Sequence, residues 1–234
     1  MKKLGIIGAM QIEVELLVEK LQNRREANHA GSTYYEGILE GLPVVVVQCG
    51  VGKVNAAVSA QVLCSCYGVT HLVNTGIAGS LDARLDIGDL LISQDAMYHD
   101  FDVTAFGYPM GKVPGMDVVA FPADDCLMDL ARTAAEAVHP GHVVSGRVAS
   151  GDQFVCSSEQ KERIIAVTGA RCTEMEGAAI AQVAYTNGVP FVILRAISDK
   201  ADDSAEMDYP TFEKKAAEHC AAVTEFLAKQ MKNA

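Results

Sequence analysis

Tryptophan is absent from this sequence of 234 residues, and all aromatic residues together make up only 6% of it. A ligand pocket built on an indole ring is therefore excluded. Long apolar runs are missing as well, and none reaches the roughly 18 residues that a membrane helix needs. The first residues resemble a signal peptide, but Gln11 and Glu13 interrupt the apolar stretch that follows Lys3. We therefore predict a first β-strand there, no membrane segment and a cytoplasmic location.

Positive charge is in short supply, because the sequence has 19 Lys and Arg residues against 30 Asp and Glu residues. The net charge of −11 disfavours nucleic acids and anionic membranes as partners, since both repel a negatively charged surface. A neutral or cationic small molecule remains compatible with this charge. The sequence is otherwise 50% hydrophobic and 21% charged, which is typical of a folded globular protein.

Closely spaced cysteine pairs are also scarce. Only Cys64 and Cys66 lie close together in the sequence, and neither a second pair nor histidines at ligand spacing follow them. We therefore predict no metal site, and reduced cysteines that act as small core residues. The seven cysteines, an odd number, are Cys49, Cys64, Cys66, Cys126, Cys156, Cys172 and Cys220.

Short apolar runs alternate with helical patterns along the chain, which predicts an α/β fold. We expect a three-layer αβα sandwich with a central mixed, twisted β-sheet, formed as a single domain over residues 1–234. The sheet should be mixed because two strands joined by residues 40–43 form a hairpin. The predicted strands are 3–8, 34–39, 43–49, 70–75, 88–95, 142–150 and 190–197. The predicted helices are 11–22, 53–67, 124–138, 158–167, 175–187 and 210–232.

Residues 97–123 break this alternation, because they are rich in aromatic residues, glycine and proline and show no helical period. A loop of this length inside a compact domain is usually functional. We predict that its aromatic residues are buried against a partner subunit or a ligand. Packing on the loop's own subunit is the alternative. The pair His99-Asp100 lies in this loop, and a site role and a structural role are both open for it.

Acidic residues occupy positions where a predicted strand ends or a helix begins. Asp199 follows the buried strand 190–197, and Glu13 lies in the first turn after the first strand. Glu174 and Glu176 flank a methionine at the start of a predicted helix. Because ligands of open α/β sheets bind at the carboxyl ends of strands, each of these carboxylates is a candidate site residue. For Glu13 and for the second pair, a favourable interaction with the helix dipole is the alternative.

Arg195 and two glycine-rich turns complete the candidates. An arginine inside a strand is costly unless it is paired, so we expect a carboxylate such as Glu13 beside it, with a purely structural pairing as the alternative. The turns 50–52 and 76–79 each follow an apolar strand and can bring backbone close to a ligand. The first turn does not match a P-loop or a dinucleotide-binding fingerprint, because the further glycine that each motif requires is missing.

Together, these motifs resemble the 5′-methylthioadenosine/S-adenosylhomocysteine nucleosidase family of the nucleoside phosphorylase superfamily. The resemblance covers essentially the whole chain, and the common order of several motifs makes it specific. It implies a nucleoside phosphorylase-like fold and hydrolysis, in methionine salvage and the methyl cycle, of the N-glycosidic bond between adenine and a 5′-thio-substituted ribose. The matching segments are 5–10 followed by Glu13, 50–54, 74–79, 98–108, 150–154, 174–176 and 195–199.

The same resemblance implies roles for individual residues. Asp199 matches the general acid that protonates adenine N7, and Ser198 helps to hold it. Glu13 matches the base that activates the attacking water, with Arg195 nearby. Glu176 matches the residue that binds the ribose hydroxyl groups.

The remaining matches form the walls of the expected pocket. Met175 packs against the sugar, whereas Phe154 and the backbone of Val155 match the adenine-binding segment. The residues that line the same pocket are Met10, Val51, Ala78 and Gly79. The residues that match a segment contributed by a partner subunit are Val103, Phe106 and Pro114. The resemblance therefore implies a homodimer with its sites at the interface, small-molecule adenine nucleosides as ligands, and no metal or cofactor.

Three departures from the family pattern leave the matched acids in place. Ile77 stands where many relatives have serine, Gly177-Ala178 replaces Ala-Thr, and Gln11-Ile12 replaces a pair of acids. Ile77 bears on substrate preference, because the resemblance places it at the pocket edge.

Three other functions compete with this one. Phosphorolysis by a purine nucleoside phosphorylase is disfavoured, because residues 71–74 contain no arginine where those relatives bind phosphate. The sequence leaves cleavage of aminodeoxyfutalosine open. A nucleoside-binding protein without turnover is disfavoured, because Glu13 and Asp199 are both present.

Overall fold

The chain folds around one mixed β-sheet that carries helices on both faces. This computed structural model describes residues 2–233, except the side chain of Met207, so the end residues 1 and 234 of the predicted domain lie outside the described residues. The strands are β1 (Leu4–Gly8), β2 (Gln22–His29), β3 (Ser32–Leu39), β4 (Leu42–Gln48), β5 (His71–Ser80), β6 (Leu90–Tyr98), β7 (Phe121–Pro122), β8 (Val143–Ser150), β9 (Cys172–Glu174) and β10 (Phe191–Asp199). The helices are α1 (Gln11–Glu19), α2 (Lys53–Tyr67), α3 (Asp125–Val138), α4 (Ser158–Thr168), α5 (Gly177–Asn187) and α6 (Ala205–Asn233).

The strands follow the order β10-β6-β8-β9-β5-β1-β4-β3-β2, and β7 pairs with β6. Strand β10 runs parallel to β5 and antiparallel to β6, so β10, β6, β8, β9 and β5 form a closed ring. Strand β1 lies between β4 and β5 and is parallel to both, whereas β2 and β3 are antiparallel neighbours at the other edge. The predicted mixed sheet is therefore confirmed.

Alternate residues of the central strands face two hydrophobic cores, one on each face of the sheet. In β1, Leu4 and Ile6 belong to the core that includes α1, α3 and α6, whereas Ile7 belongs to the core that includes α2 and α5. The valines at positions 44–47 of β4 alternate between the two cores in the same way. Because both faces of these strands are covered, their sequences are continuously apolar. The predicted three-layer αβα arrangement is confirmed.

The structure departs from the predicted elements where the sequence is polar or contains a proline. No strand is predicted at β2, because its residues QNRREANH are polar and largely exposed along a sheet edge. Strands β7 and β9 are not predicted either, because two and three residues are too few to show an apolar pattern. Helix α1 ends at Glu19. Helix α6 begins at Ala205 and contains Pro210, although the prediction starts the helix at that proline. Asp202 accepts hydrogen bonds from the N–H and the hydroxyl of Ser204, which turns the chain into this earlier start.

The segment 97–123 is largely irregular, as its composition predicts. Strand β6 extends into it as far as Tyr98, and β7 pairs with β6 near its far end. Between them, the described chain forms one short 3₁₀ turn, Thr104–Phe106. The segment is held to its own chain, because the Gly111 N–H bonds to the Phe101 carbonyl (2.9 Å) and because Phe101, Val113, Met116 and Val118 pack against the core.

The cysteines are only partly core residues. All seven are free, and Cys49, Cys172 and Cys220 are buried as predicted. The prediction is wrong for Cys66 and Cys126, which are exposed. Among residues 2–233, no helix combines the length and the apolar character needed to cross a membrane.

Candidate active site

A cavity of about 470 Å³ opens at the carboxyl ends of the central strands. It lies where β1, β5, β9 and β10 end and where the segments after β4 and β8 begin, which is the edge at which parallel α/β sheets bind ligands. The predicted site residues that line it are Met10, Glu13, Val51, Ala78, Gly79, Phe154, Val155, Met175, Glu176, Ser198 and Asp199. Four other predicted residues, Arg195, Val103, Phe106 and Pro114, are not part of this lining.

Glu13 is fixed by backbone groups from two strands. It lies in the first turn of α1 and is 4% exposed, so it is fully buried rather than at the half-buried margin that the helical spacing predicts. Its Oε2 accepts hydrogen bonds from the N–H groups of Ala9 (2.7 Å) and Met10 (2.9 Å), and its Oε1 accepts one from Ile77 (3.1 Å). Gly76 leaves room for the carboxylate, since an added Cβ would lie 2.9 Å from Glu13 Cδ.

The surroundings of Glu13 suit a proton acceptor. Burial raises the pKa of Glu13 above its ordinary value of 4.5, and the charge of Arg195 and three backbone N–H groups oppose this rise only in part. A carboxylate with a raised pKa is a stronger base near neutral pH than an exposed one. Glu13 can therefore remove a proton from a ligand or a water in the cavity.

Arg195 does not pair with Glu13, contrary to the prediction. Its Nη2 donates hydrogen bonds to Glu174 Oε2 and Asn74 Oδ1, and all these side chains are buried. Both oxygens of Glu13 accept backbone N–H groups, whereas the guanidinium group lies within hydrogen-bonding distance of Glu174 and Asn74. Burial opposes the charge of Arg195, but the carboxylates of Glu174, Glu13 and Glu176 raise its pKa, so it stays a cation. Arg195 therefore balances charge behind the cavity wall.

Glu174 organises the start of α5. Its Oε1 accepts hydrogen bonds from the hydroxyl of Ser150 and the N–H of Gly177, and its Oε2 accepts one from the N–H of Glu176 (3.1 Å). These bonds satisfy N–H groups at the helix N-terminus, as the helix-dipole alternative predicts for this acidic pair. The two glutamates thus differ in role, because Glu174 faces the backbone and Arg195.

Glu176 is the N-cap residue of α5 and lines the cavity. It is buried, and its Oε1 accepts a hydrogen bond from the N–H of Gly52 (2.8 Å) in the turn after β4. Burial raises the pKa of Glu176, and the like charge of Glu174 adds to this effect. Met175, between the two acids, also contributes to the cavity wall.

Asp199 ends β10 and is buried at the other side of the cavity. Its Oδ2 accepts a hydrogen bond from the hydroxyl of Ser198 (2.8 Å), and its Oδ1 accepts one from the N–H of Ala201 (2.8 Å). Burial raises the pKa of Asp199, and Asp208 and Asp202 add to this, against the effect of the two hydrogen bonds. A raised pKa lets this carboxyl group keep its proton to a higher pH than an exposed aspartate does, which suits a group that delivers a proton to a ligand.

Helix α6 contributes residues that the sequence analysis missed. Tyr209 meets Phe154 edge to face, with ring centroids 5.7 Å apart, and its hydroxyl donates to Met10 Sδ (3.2 Å). Glu206, Tyr209 and Pro210 line the cavity and lie at helical spacing on one face of α6. That spacing is a signal in the sequence, but the predicted start at Pro210 leaves most of the face outside the helix. The other missed lining residues are Ala9, Gln153 and Thr173.

The long segment lies away from the cavity of its own chain. Phe106 is 81% exposed, and Pro114 is exposed as well. The contribution of Val103, Phe106 and Pro114 to the site of a partner subunit stays a prediction.

The cavity wall carries acids and no basic side chain among its described residues. Lys, Arg and His are missing from the described lining. The carboxyl groups that line the cavity are those of Glu13, Glu174, Glu176, Asp199 and Glu206. Within residues 2–233, no group of three or more His, Cys, Asp or Glu residues is arranged to hold a metal ion. The wall favours a neutral ligand that develops positive charge, because the carboxylates stabilise such charge.

Comparison with known proteins agrees with this geometry. The phosphorylase superfamily model matches residues 3–229. The 5′-methylthioadenosine/S-adenosylhomocysteine nucleosidase of Chromohalobacter salexigens is 40% identical over 99% of this chain and 98% of its own. A crystal structure of the Neisseria meningitidis nucleosidase of that name, in complex with methylthio-immucillin-A, has a TM-score of 0.95 and 38% identity over 98% of this chain and 100% of that chain. A futalosine hydrolase mutant of Helicobacter pylori has a TM-score of 0.94 and 32% identity over 98% of this chain and 100% of that chain.

The fold, the strand-end cavity and these similarities all indicate the same family. The chain belongs to the phosphorylase superfamily, and within it to the family of 5′-methylthioadenosine/S-adenosylhomocysteine nucleosidases. The resemblance seen in the sequence motifs is therefore confirmed.

Proposed function

We propose that this protein hydrolyses the N-glycosidic bond of 5′-methylthioadenosine and S-adenosylhomocysteine, releasing adenine and the 5-thioribose product. The observation that carries the proposal is the placement of Glu13, Glu176 and Asp199 around one cavity at the strand ends. Burial raises the pKa of each of these carboxyl groups, which suits groups that take up and deliver protons. Membership of the nucleosidase family supports the same reaction.

The reaction needs one proton acceptor and one proton donor. Glu13 removes a proton from water while the water oxygen bonds to C1′ of the ribose. The bond between C1′ and N9 breaks, its electron pair passes to adenine, and Asp199 delivers its proton to N7. Glu176 accepts hydrogen bonds from the ribose hydroxyl groups, and the carboxylates stabilise the positive charge that develops on the sugar. Glu13 and Asp199 then exchange protons with solvent to restore their starting states.

The other wall residues position the substrate. Ser198 holds Asp199 through its hydroxyl. Met175 packs against the sugar, and Phe154 with the backbone of Val155 contacts adenine. The remaining pocket lining consists of Met10, Val51, Ala78 and Gly79.

One assay tests this proposal directly. The purified protein is incubated with each nucleoside in phosphate-free buffer, and free adenine is measured by chromatography. We expect adenine together with a sugar that carries a free anomeric hydroxyl group. A requirement for phosphate and formation of a sugar 1-phosphate would show phosphorolysis instead. Binding of the nucleoside without release of adenine would support a binding protein.

Phosphorolysis fits the cavity poorly. A phosphate ion needs cationic or N–H donors, and the described lining contains no Lys, Arg or His. The nearby cation, Arg195, already donates to Glu174 and Asn74. Water is therefore the better nucleophile for this site.

Cleavage of aminodeoxyfutalosine is a second candidate, because the fold is also that of a futalosine hydrolase. Both reactions would use the same base, acid and ribose-binding carboxylate. The substrates differ in the 5′ substituent, so kcat/KM measured on both, in the same buffer, decides between them. We expect the higher kcat/KM with the methylthio nucleoside.

We extend the proposal to a cytoplasmic homodimer that has no nucleic-acid partner. Large apolar side chains are exposed on the long segment and beside the cavity, which supports a covered surface there. They are Phe106 (81%), Val54 (73%), Val51 (49%), Phe154 (45%) and Tyr108 (41%). The net charge of −11 supports the absence of nucleic acid among the partners.

A further inference from the structure

Asp100 does not line the cavity, yet its side chain connects two segments that do. It follows β6, and its side chain is 16% exposed. Its Oδ2 accepts hydrogen bonds from Lys53 Nζ (2.6 Å) and from the N–H of Asp152 (2.9 Å). Asp152 Oδ1 in turn accepts the backbone N–H of Lys53 (2.8 Å). One carboxylate oxygen thus joins the first residue of α2 to the turn after β8.

Each of the connected segments carries residues of the cavity. Gly52, which precedes Lys53, donates its N–H to Glu176 Oε1 (2.8 Å). Gly52 has a φ of +98°, and an added Cβ would lie 3.1 Å from Asp152 Oδ1, so the two segments touch at a position that suits only glycine. Phe154 follows Asp152 by two residues and lines the cavity. Displacement of Asp152 or Lys53 would therefore move donors and walls of the cavity.

We propose that Asp100 is a positioning residue of the site, which orients the Gly52 N–H toward Glu176 through Lys53 and Asp152. This inference rests on the proposed function, because it assigns the ribose-binding carboxylate to Glu176. Asp100 and Lys53 themselves touch neither the substrate nor the reacting atoms. Their ion pair is partly buried, so it is less screened than a surface pair and can fix a geometry.

The predicted effect has a signature in the pH dependence. The Gly52 N–H favours the ionised form of Glu176 and so lowers its pKa, against the effects of burial and like charge. When this donor is misplaced, the pKa of Glu176 rises further, and the carboxylate form is present only at higher pH. The charged and titratable groups that face Glu176 from the surrounding elements are Glu174, Arg195, Glu13 and Cys49.

The test uses Asp100→Ala and Lys53→Met, which break the same ion pair from its two ends. For each variant and the wild type, kcat and KM for methylthioadenosine are measured across pH, together with Tm. We expect kcat/KM to fall roughly tenfold or more near neutral pH, the size of one hydrogen bond to a charged group. We also expect the acidic limb of the kcat/KM profile to move to higher pH, while the basic limb, set by Asp199, stays in place. If Asp100→Ala does not fold, Lys53→Met gives the same readout, because Lys53 is partly exposed.

Asp95→Ala is the matched control. Asp95 lies on β6, the strand that precedes Asp100, and pairs with Arg147 through two hydrogen bonds (2.6 and 2.8 Å), but it does not line the cavity. This variant should lower Tm and leave both limbs of the profile unchanged. If the Asp100 and Lys53 variants behave like the control while the wild type releases adenine, the inference is overturned and the proposed function stands. If the wild type releases no adenine, the proposed function fails and the inference fails with it.

Discussion

Three carboxyl groups of similar intrinsic acidity surround the cavity, and at the residue scale their contacts give them different tasks. Glu13 accepts hydrogen bonds from three backbone N–H groups, which fix the positions of both carboxylate oxygens. Glu176 accepts one N–H and lies near the like charge of Glu174. Asp199 accepts one hydroxyl and one N–H at the end of β10. The best-fixed carboxylate is suited to act as a base, and the acid across the cavity is suited to donate a proton.

The role of Asp199 can be tested with Asp199→Asn. The amide has nearly the same shape but carries no acidic proton, so protonation of the leaving adenine should be lost. We expect kcat to fall by roughly 10²- to 10⁴-fold, the range for a general acid, with substrate affinity in calorimetry largely unchanged. Asp203→Asn is the control, because Asp203 is exposed in the same part of the chain and does not line the cavity. Full activity of the Asp199 variant would remove this residue from the mechanism.

The acidic limb of the wild-type pH profile should report on Glu13 and Glu176, because both are proposed to act as carboxylates. The base must be ionised, and burial raises the pKa of Glu13 in the folded protein above 4.5. We therefore expect kcat/KM to fall as pH decreases through the raised pKa, and this fall should occur at a higher pH than for an exposed carboxyl group. Glu13→Gln should abolish cleavage at every pH. A wild-type profile that stays flat down to pH 4.5 would contradict the role of Glu13 as base.

At the scale of elements, strand ends and helix starts place the site, and helix α6 closes one side of it. The ends of β1, β9 and β10 and the turns after them supply Glu13, Glu174, Glu176 and Asp199, while α6 supplies Glu206 and an apolar and aromatic wall. The early start of α6 at Ala205 matters here, because it brings Tyr209 against Met10 and Phe154. Helix α6 is therefore part of the cavity wall as well as of the core.

Tyr209→Ala tests the contribution of this wall. Loss of the ring removes the contacts to Met10 and Phe154 and widens the pocket on the α6 side. We expect KM for methylthioadenosine to rise roughly tenfold or more, as for the loss of a well-packed aromatic contact, with a smaller change in kcat. Tyr209→Phe is the control, because it keeps the ring and removes only the hydroxyl group with its hydrogen bonds. An unchanged KM in the alanine variant would show that the substrate does not reach this wall.

At the scale of the whole molecule, the chain exposes apolar side chains that a folded monomer would not need to display. Phe106 is 81% exposed on a long irregular segment, and Val51 and Phe154 are half exposed where they line the cavity. A second copy that covers this region would bury these groups and complete the pocket. Assembly and activity would then depend on the same surface.

Phe106→Asp tests the proposed dimer, because it places a charge in the expected contact. We expect the mass measured by light scattering to shift from dimer to monomer at micromolar concentration, and activity to fall with the dimer fraction. Phe106→Leu keeps an apolar side chain and should remain dimeric and active. A wild-type protein that is monomeric and fully active would contradict the shared site.

Helices and strands with a clear apolar pattern are predicted from the sequence, whereas elements that lack such a pattern are missed or shortened. The valines of β4 and the helical patterns are recognisable within a few residues, so the bounds of most elements are predicted to within a few positions. Strand β2 escapes prediction, because its polar residues pair at an exposed edge and carry no apolar period. Helix α6 is predicted too short, because proline favours helix starts but is accommodated inside this one.

The α/β class and the acids at strand ends follow from the sequence alone, because periodicity and strand boundaries are local properties of the chain. The family also follows from the sequence alone, because several motifs recur in one order. The pairing of Arg195 with Glu174 and Asn74, rather than with Glu13, becomes visible only in the folded chain. Arg195 lies on β10, Glu174 on β9 and Asn74 on β5, so the distances between these side chains depend on strand order and register. The hydrogen-bond partners of a buried side chain depend on which groups the folded sheet brings within reach, and residues far apart in the sequence supply them.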